Sequence, residues 1–325
     1  MTDGFYTSKQ KENFMKKAEI TTAGETITVA EFAKALELEV VYEGRGSITL
    51  SSISVSRPGL QLTGYFKHFD HSRVQVIGKA EHEFLSSPGK AAKLANVEEL
   101  FSRDIPCLIF SRELSISDDV LNLAGKYKCP VLRSDKITTV LVNEITLYQS
   151  ELLAPTEVMH GVLVDVFGIG ILIIGKSGVG KSEIALELVS RGHRLVADDS
   201  VVIKNINDQL VGKAPERIRY YMEIRGIGII NVQQMFGPGS IRPEKGIDII
   251  AELSPWEEGK HYDRIGNEEV YEEVLGIPKL KVTIPVSPGR NIPIVLETAA
   301  RQYRLKQAGY DASKDLMDQI FGSAE

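Results

Sequence analysis

Two hydrophobic periods meet in the middle of the chain. Ile171-Leu-Ile-Ile174 is an unbroken apolar run, the pattern of a strand buried on both faces. Glu183-Ile-Ala-Leu-Glu-Leu-Val189 then returns its apolar positions at helical spacing, with Gly192 placed as a C-cap. Upstream, residues 160–168 predict a strand that can pair with 170–174 as a hairpin. Downstream, 194–197 predict an apolar strand running into Asp198-Asp199. Further strands are predicted at 201–204, 227–232, 247–253 and 281–286, and two helices from Ile292 onward, split near Gly309.

The first half of the chain alternates differently. Residues 1–24 are polar, with Lys9, Lys11, Lys16 and Lys17, and predict a mobile or weakly helical start. Thr28-x-x-Glu31 before an apolar periodic run predicts a helix closed by a capping box. Strands are predicted at 39–42, 48–54, 73–77, 107–110 and 131–133, with a helix at 118–127 and another starting at Asn96. Strands alternating with helices predict an α/β domain with a mostly parallel sheet. Residues 136–146 are β-branched and fit either a strand or a connecting helix. A length of 325 residues fits two domains, and the change of character around 134–156 divides them into 1–140 and 141–325.

Composition narrows the partners. Hydrophobic residues make up 43% and the formal net charge is −6, which does not suit nucleic acid or an anionic membrane surface. The longest apolar run, 162–174, contains Asp165 and is too short to span a bilayer, and the N-terminus carries no secretory pattern. Cys107 and Cys129 sit in apolar, strand-like settings, which fits a reducing cytoplasmic location better than a disulfide framework.

The junction between the two periods carries the chemistry. Gly175-Lys176-Ser177-Gly178-Val179-Gly180-Lys181-Ser182 has the P-loop spacing, after a strand and before a helix. Glycines there let successive amides turn inward on phosphate oxygens, at the positive end of the following helix. Lys181 is placed to reach β- and γ-phosphates and Ser182 to ligate Mg²⁺. Asp198 and Asp199 end an apolar strand, as a Walker B carboxylate does. Adjacent side chains on a strand face opposite ways, so one of the two looks into the site unless the strand has ended. Glu223 and Arg225, beside Gly226 and Gly228, suit a metal ligand and a phosphate clamp, and equally a salt-bridged edge strand. His160 by itself fits a capping or surface histidine as well as a functional one.

Together these segments resemble the bacterial HPr kinase/phosphorylase family. The resemblance rests on the P-loop, on Arg191-Gly-His-Arg-Leu-Val-Ala-Asp-Asp199, on Glu223-Ile-Arg-Gly-Ile-Gly-Ile-Ile-Asn231, on Tyr262-Asp-Arg264 and on Pro285-Val-Ser-Pro-Gly-Arg290. It implies an N-terminal Mur-ligase-like α/β domain and a C-terminal P-loop kinase domain related to phosphoenolpyruvate carboxykinase. It further implies an enzyme that phosphorylates a regulatory serine of the phosphocarrier protein HPr from ATP or pyrophosphate, and removes the phosphate by phosphorolysis. Residue by residue, His160, Lys181, Asp199 and Arg264 would be active-site positions, with Asp199 the proton acceptor. Ser182 and Glu223 would be Mg²⁺ ligands, residues 222–231 a signature serving both directions, and 285–290 a loop for dephosphorylation. A homohexamer is also implied. Two other readings fit a P-loop with paired aspartates: a carboxykinase-like or other small-metabolite kinase, and a nucleotide sensor without turnover.

Overall fold

The computed structural model describes residues 24–256 and 269–322, and the polar start of the chain lies outside them. The chain divides into two compact units between Ala154 and Pro155. The helix Thr138–Leu152 runs across position 140/141, where the sequence pattern placed the division, and so settles 138–146 as helix, with Lys136 and Ile137 ahead of it. Its buried Leu141 and Ile145 join the N-terminal core, which is why the helix stays with that unit.

The strands of the N-terminal unit are β1 (Glu25–Thr28), β2 (Glu39–Tyr42), β3 (Ser47–Leu50), β4 (Val55–Ser56), β5 (Val74–Ile77), β6 (Leu108–Phe110) and β7 (Val131–Arg133). Five of them form a sheet in the order β2-β7-β6-β5-β4, parallel except for β2 at one edge. Strand β5 is buried along its whole length, as a parallel strand covered on both faces must be. On one face Val74, Val76 and Ile109 pack with the helices Val29–Leu36 and Thr138–Leu152; on the other Ile77, Leu108 and Phe110 pack with the helices Lys90–Ser102 and Asp118–Tyr127. The capping box at Thr28 forms with both bonds present, Glu31 N–H to the Thr28 hydroxyl at 3.1 Å and Thr28 N–H to the Glu31 carboxylate at 3.0 Å. The helix expected to begin at Asn96 begins at Lys90, because Leu94 lies on its packed face too. Cys107 and Cys129 are free and buried. Burial pushes the Cys129 thiol up to about 12 and the Cys107 thiol well above its usual value, so both behave as apolar core groups.

The C-terminal unit contains β8 (Thr156–His160), β9 (Val162–Val166), β10 (Ile169–Gly175), β11 (Arg194–Ala197), β12 (Ser200–Ile206), β13 (Gln209–Lys213), β14 (Tyr221–Ile224), β15 (Gly228–Asn231), β16 (Glu244–Gly246), β17 (Ile249–Pro255), β18 (Val270–Val274) and β19 (Ile277–Val286). Six strands form a mixed sheet in the order β11-β9-β10-β17-β19-β18, in which β10, β17 and β19 run parallel. Four more form an antiparallel sheet, β16-β13-β12-β8, and β14 with β15 is a separate hairpin. The alternation in β10 divides two cores. Ile171 and Ile173 pack with the P-loop helix Lys181–Ser190, the helix Ile292–Gln307 and the hairpin residues Met222 and Ile224; Leu172 packs between the two sheets with Val201, Ile203 and Ile250.

The stretch 160–168 is not one strand. It breaks at Gly161 into β8 and β9, which belong to different sheets. A Cβ on Gly161 would stand 2.8 Å from the Ile173 carbonyl oxygen, so the chain can cross from sheet to sheet against β10 only with glycine there. The expected hairpin of β9 with β10 forms. Helices Ile292–Gln307 and Ala312–Phe321 fall on either side of Gly309 as anticipated. Among the described residues no helix is long and apolar enough to cross a membrane.

Candidate active site

Strand β10 delivers Gly175 directly into the phosphate-loop segment. Gly175, Gly178 and Gly180 have φ of 146°, 83° and 94°, values that suit glycine and curl the loop, with the Val179 amide closing on the Lys176 carbonyl at 3.3 Å. Gly180 is the N-cap of the helix Lys181–Ser190 and offers no side-chain cap, so the first-turn amides remain available to an anion. Lys176 and Ser177 are exposed at the loop tip, while Val179 packs on the core beneath. Lys181 is buried, and its ammonium donates to the carbonyls of Gly175 at 3.0 Å and Lys176 at 3.3 Å. The charge therefore sits inside the curl of the loop.

The two aspartates separate. Asp198, 5% exposed, accepts a hydrogen bond from the Ser182 hydroxyl at 2.8 Å and from the Glu223 amide at 3.3 Å. Burial pushes its carboxyl above the ordinary range, against the opposing pull of the Ser182 hydrogen bond. Strand β11 has ended at Ala197, and Asp199 sits in the left-handed region with φ 65°. This conformation is uncommon outside glycine, though aspartate tolerates it better than most residues. It frees Asp199 from the alternation of a strand, so its exposed carboxylate pairs with Nδ1 of His160 at 3.1 Å. The pairing is set by register: β12 lies antiparallel to β8 with Ser200 opposite His160, and the Gly161 amide donates to the Asp199 carbonyl at 3.1 Å.

The hairpin β14–β15 closes the cluster. Its Glu223 amide is bound to Asp198, and its Arg225 guanidinium lies against the loop, where a Cβ on Gly178 would stand 2.9 Å from it. The Glu223 side chain is exposed. Ser182 and Asp198 thus offer a hydroxyl and a carboxylate beside the phosphate loop, with the Glu223 backbone bonded to the same carboxylate, and such hard oxygen donors are of the kind Mg²⁺ takes. Among the described residues no three His, Cys, Asp or Glu side chains form a cage for a metal.

His160, Lys181, Ser182 and Asp199 are therefore gathered around the loop, with Glu223 attached through its backbone. Tyr262 and Arg264 lie outside the described residues. Arg290 follows β19 in a turn, its amide bonded to the Ser287 carbonyl and its guanidinium to the Pro285 carbonyl, each at 3.1 Å. The contact of Arg225 with Gly178 had a weaker signal in the sequence, a cation between an acid and two glycines. Strand alternation alone also left Asp198 and Asp199 level, and only the family resemblance favoured Asp199 as proton acceptor; burial and the Ser182 bond give them different surroundings.

The segments 27–148 and 151–320 match the family models for the HPr Serine kinase N terminus and the HPr Serine kinase C-terminal domain. The chain is 50% identical to an HPr kinase/phosphorylase of Peptoclostridium acidaminophilum over 90% of its length and 96% of the relative's. It is 43% identical to one from Alkaliphilus metalliredigens, over 92% and 98%. The solved Hpr(Ser) kinase/phosphatase of Coxiella burnetii matches 49% of this chain and 98% of that one, at 36% identity and a TM-score of 0.45.

Proposed function

The chain belongs to the HPr kinase/phosphorylase family, and from that premise we propose that it phosphorylates a serine of the carrier protein HPr and removes the same phosphate again. The observation that carries the reading is the pair of aspartates beside the phosphate loop, one buried on Ser182 and one exposed on His160.

In the forward direction the loop amides and Lys181 bind the β- and γ-phosphates of the donor, ATP or pyrophosphate. Ser182, Asp198 and Glu223 would hold Mg²⁺, whose charge offsets that of the transferred group. Asp199 accepts the proton of the attacking serine hydroxyl, and Nδ1 of His160 holds the carboxylate in place. The serine oxygen forms a bond to phosphorus as the bond to the leaving phosphate oxygen breaks. In reverse, inorganic phosphate occupies the loop and its oxygen attacks the phosphoserine. The serine oxygen takes its proton back from Asp199, and the product is pyrophosphate, as microscopic reversibility requires. Arg290, with a planar fork suited to phosphate, is the candidate for orienting phosphoserine in that direction. Arg264 is expected to join the site.

This reading extends to three further expectations: kinship of the two units with Mur ligases and with phosphoenolpyruvate carboxykinase, a homohexameric assembly, and a cytoplasmic location. The decisive experiment is mass spectrometry of the cognate HPr after incubation with ATP and Mg²⁺. A single added phosphate on serine is expected, followed by its loss with release of pyrophosphate when phosphate is added. Transfer to a small metabolite with HPr untouched would overturn the reading, as would release of phosphate without pyrophosphate.

A further inference from the structure

Arg191-Gly192-His193 joins the phosphate-loop helix Lys181–Ser190 to β11, and neither polar side chain has a part in the chemistry described above. Arg191 is the C-cap of that helix. Its guanidinium donates to the Glu187 carboxylate one turn back at 2.6 Å. It also extends to the helix Ile292–Gln307, where it stands 3.5 Å from a carboxylate oxygen of Glu297 and 3.5 Å from the side-chain oxygen of Asn291. Glu297 is shared: His193, buried at 5% exposure, holds Nε2 3.0 Å from the other carboxylate oxygen. Asn291 is the N-cap of the second helix, and its side-chain oxygen also accepts the Ile294 amide at 3.1 Å. The residue directly before this cap is Arg290.

We propose that Arg191 is a positioning residue for Arg290, fixing the end of the 287–290 turn to the helix that carries the phosphate loop, an inference that rests on the directional reading of Arg290 above. The turn is tied at its start by its own bonds to the Ser287 and Pro285 carbonyls, at the close of β19. At its far end the chain enters a helix at Asn291, and there the cap oxygen meets Arg191. Ile292 and Leu296 share a core with Leu188 and Val189, which brings the two helices together. Apolar burial has no direction, so it sets how close the helices lie better than how far one slides along the other. A planar guanidinium, bonded to Glu187 on its own helix and directed at Glu297 and Asn291 on the next, adds that register. Phosphorylation needs the donor in the loop and a serine hydroxyl at Asp199. Phosphorolysis needs in addition a phosphoserine aligned with phosphate in the loop, so it depends more on the spacing of Arg290 from the loop.

The test compares Arg191→Met, Asn291→Ser and Asn291→Asp in two assays: phosphorylation of the cognate HPr by Mg-ATP, and phosphate-dependent dephosphorylation of phosphoserine-HPr. Serine keeps a capping oxygen but is too short to meet Arg191, whereas aspartate keeps both contacts. Arg191→Met and Asn291→Ser should lower the ratio of dephosphorylation to phosphorylation by about 3–5-fold, the scale of a partly exposed ion pair. Asn291→Asp should keep the wild-type ratio, and Asn291→Ser the wild-type thermal midpoint. In an Arg290→Ala background Arg191→Met should lower the ratio no further, because residues that act as one unit are not additive. Equal losses in the two directions, a wild-type ratio in Asn291→Ser, or a full further loss on top of Arg290→Ala would each overturn the positioning role while leaving Arg290 its own. A wild-type ratio in Arg290→Ala would instead overturn the directional reading of Arg290, and the positioning role with it.

Discussion

Each unit of this protein places a helix N-terminus after a sheet strand, and the two ends are finished in opposite ways. After β5 the chain enters the helix Lys79–Ser86 at Gly78. Glu81 reaches back to the Gly78 amide at 3.0 Å, and Arg57 holds the same carboxylate at 2.8 Å. After β10 it enters the helix Lys181–Ser190 at Gly180, where no side chain caps the end. The first end satisfies its cap amide internally, whereas the second leaves its first turn without a side-chain cap, beside a Lys181 ammonium held by the loop carbonyls. A parallel strand followed by a helix is therefore scaffold in one unit and a phosphate site in the other. What distinguishes them is whether the first-turn carboxylate folds back on the cap amide, as Glu81 does and Glu183 does not.

Breaking the open end should cost the most. Lys181→Ala removes the cation inside the loop, and turnover on HPr should fall by on the order of 10³–10⁵-fold, the scale of a charge-stabilising side chain in phosphoryl transfer. Wild-type turnover in a kinase assay would sink the loop assignment. Asp199→Asn keeps size but accepts no proton, so both directions should slow by about 10²–10⁴-fold while nucleotide affinity changes far less. If Asp198→Asn proves the more damaging to chemistry at saturating Mg²⁺, the two aspartates have exchanged roles.

The two ends also differ in the direction in which the fold shifts a carboxyl. Burial raises the carboxyl of Asp198, so it takes up a proton at a pH above the usual aspartate range. Protonated, it cannot ligate a cation, and Mg²⁺ affinity should weaken on that acid limb; the limb should vanish in Asp198→Asn. At Glu81 burial also raises the carboxyl, but Arg57 and the amides of Glu81 and Gly78 outweigh it and hold it below the ordinary 4.5. Its contribution to stability is then present above the unfolded value and lost as pH falls through the lower folded value. Mg²⁺ titration against pH should read the first, and denaturation followed against pH the second.

Smaller effects sharpen the contrast. Arg290→Ala should slow dephosphorylation several-fold more than phosphorylation, on the order of 10-fold in the ratio if one charge-assisted bond of about 1.5 kcal/mol is lost. Equal losses in the two assays would remove its directional role. Arg57→Ala at the closed end should leave turnover at the wild-type value and lower stability by about 1–3 kcal/mol, since it strips a partner from a nearly buried carboxylate. A loss of activity without loss of stability would make the N-terminal end a working site after all.

The sequence by itself determined what depends on near neighbours. The run 171–174, the loop glycines, Lys181 and the helical face of 183–189 lie within one continuous stretch, and the Thr28–Glu31 capping box spans a single turn. Periodicity and backbone chemistry are local, so these were legible. Tertiary structure decided the rest. Residues 138–146 became helix because Leu141 and Ile145 have a core to enter, and 160–168 broke in two because Gly161 passes close to a neighbouring carbonyl. Ser182 met Asp198 because β11 ends beside the loop helix, His160 met Asp199 because β8 pairs with β12, and Arg225 met Gly178 because a hairpin packs its Met222 and Ile224 underneath. Strand register joins residues far apart in the chain, and no spacing within a single segment encodes it.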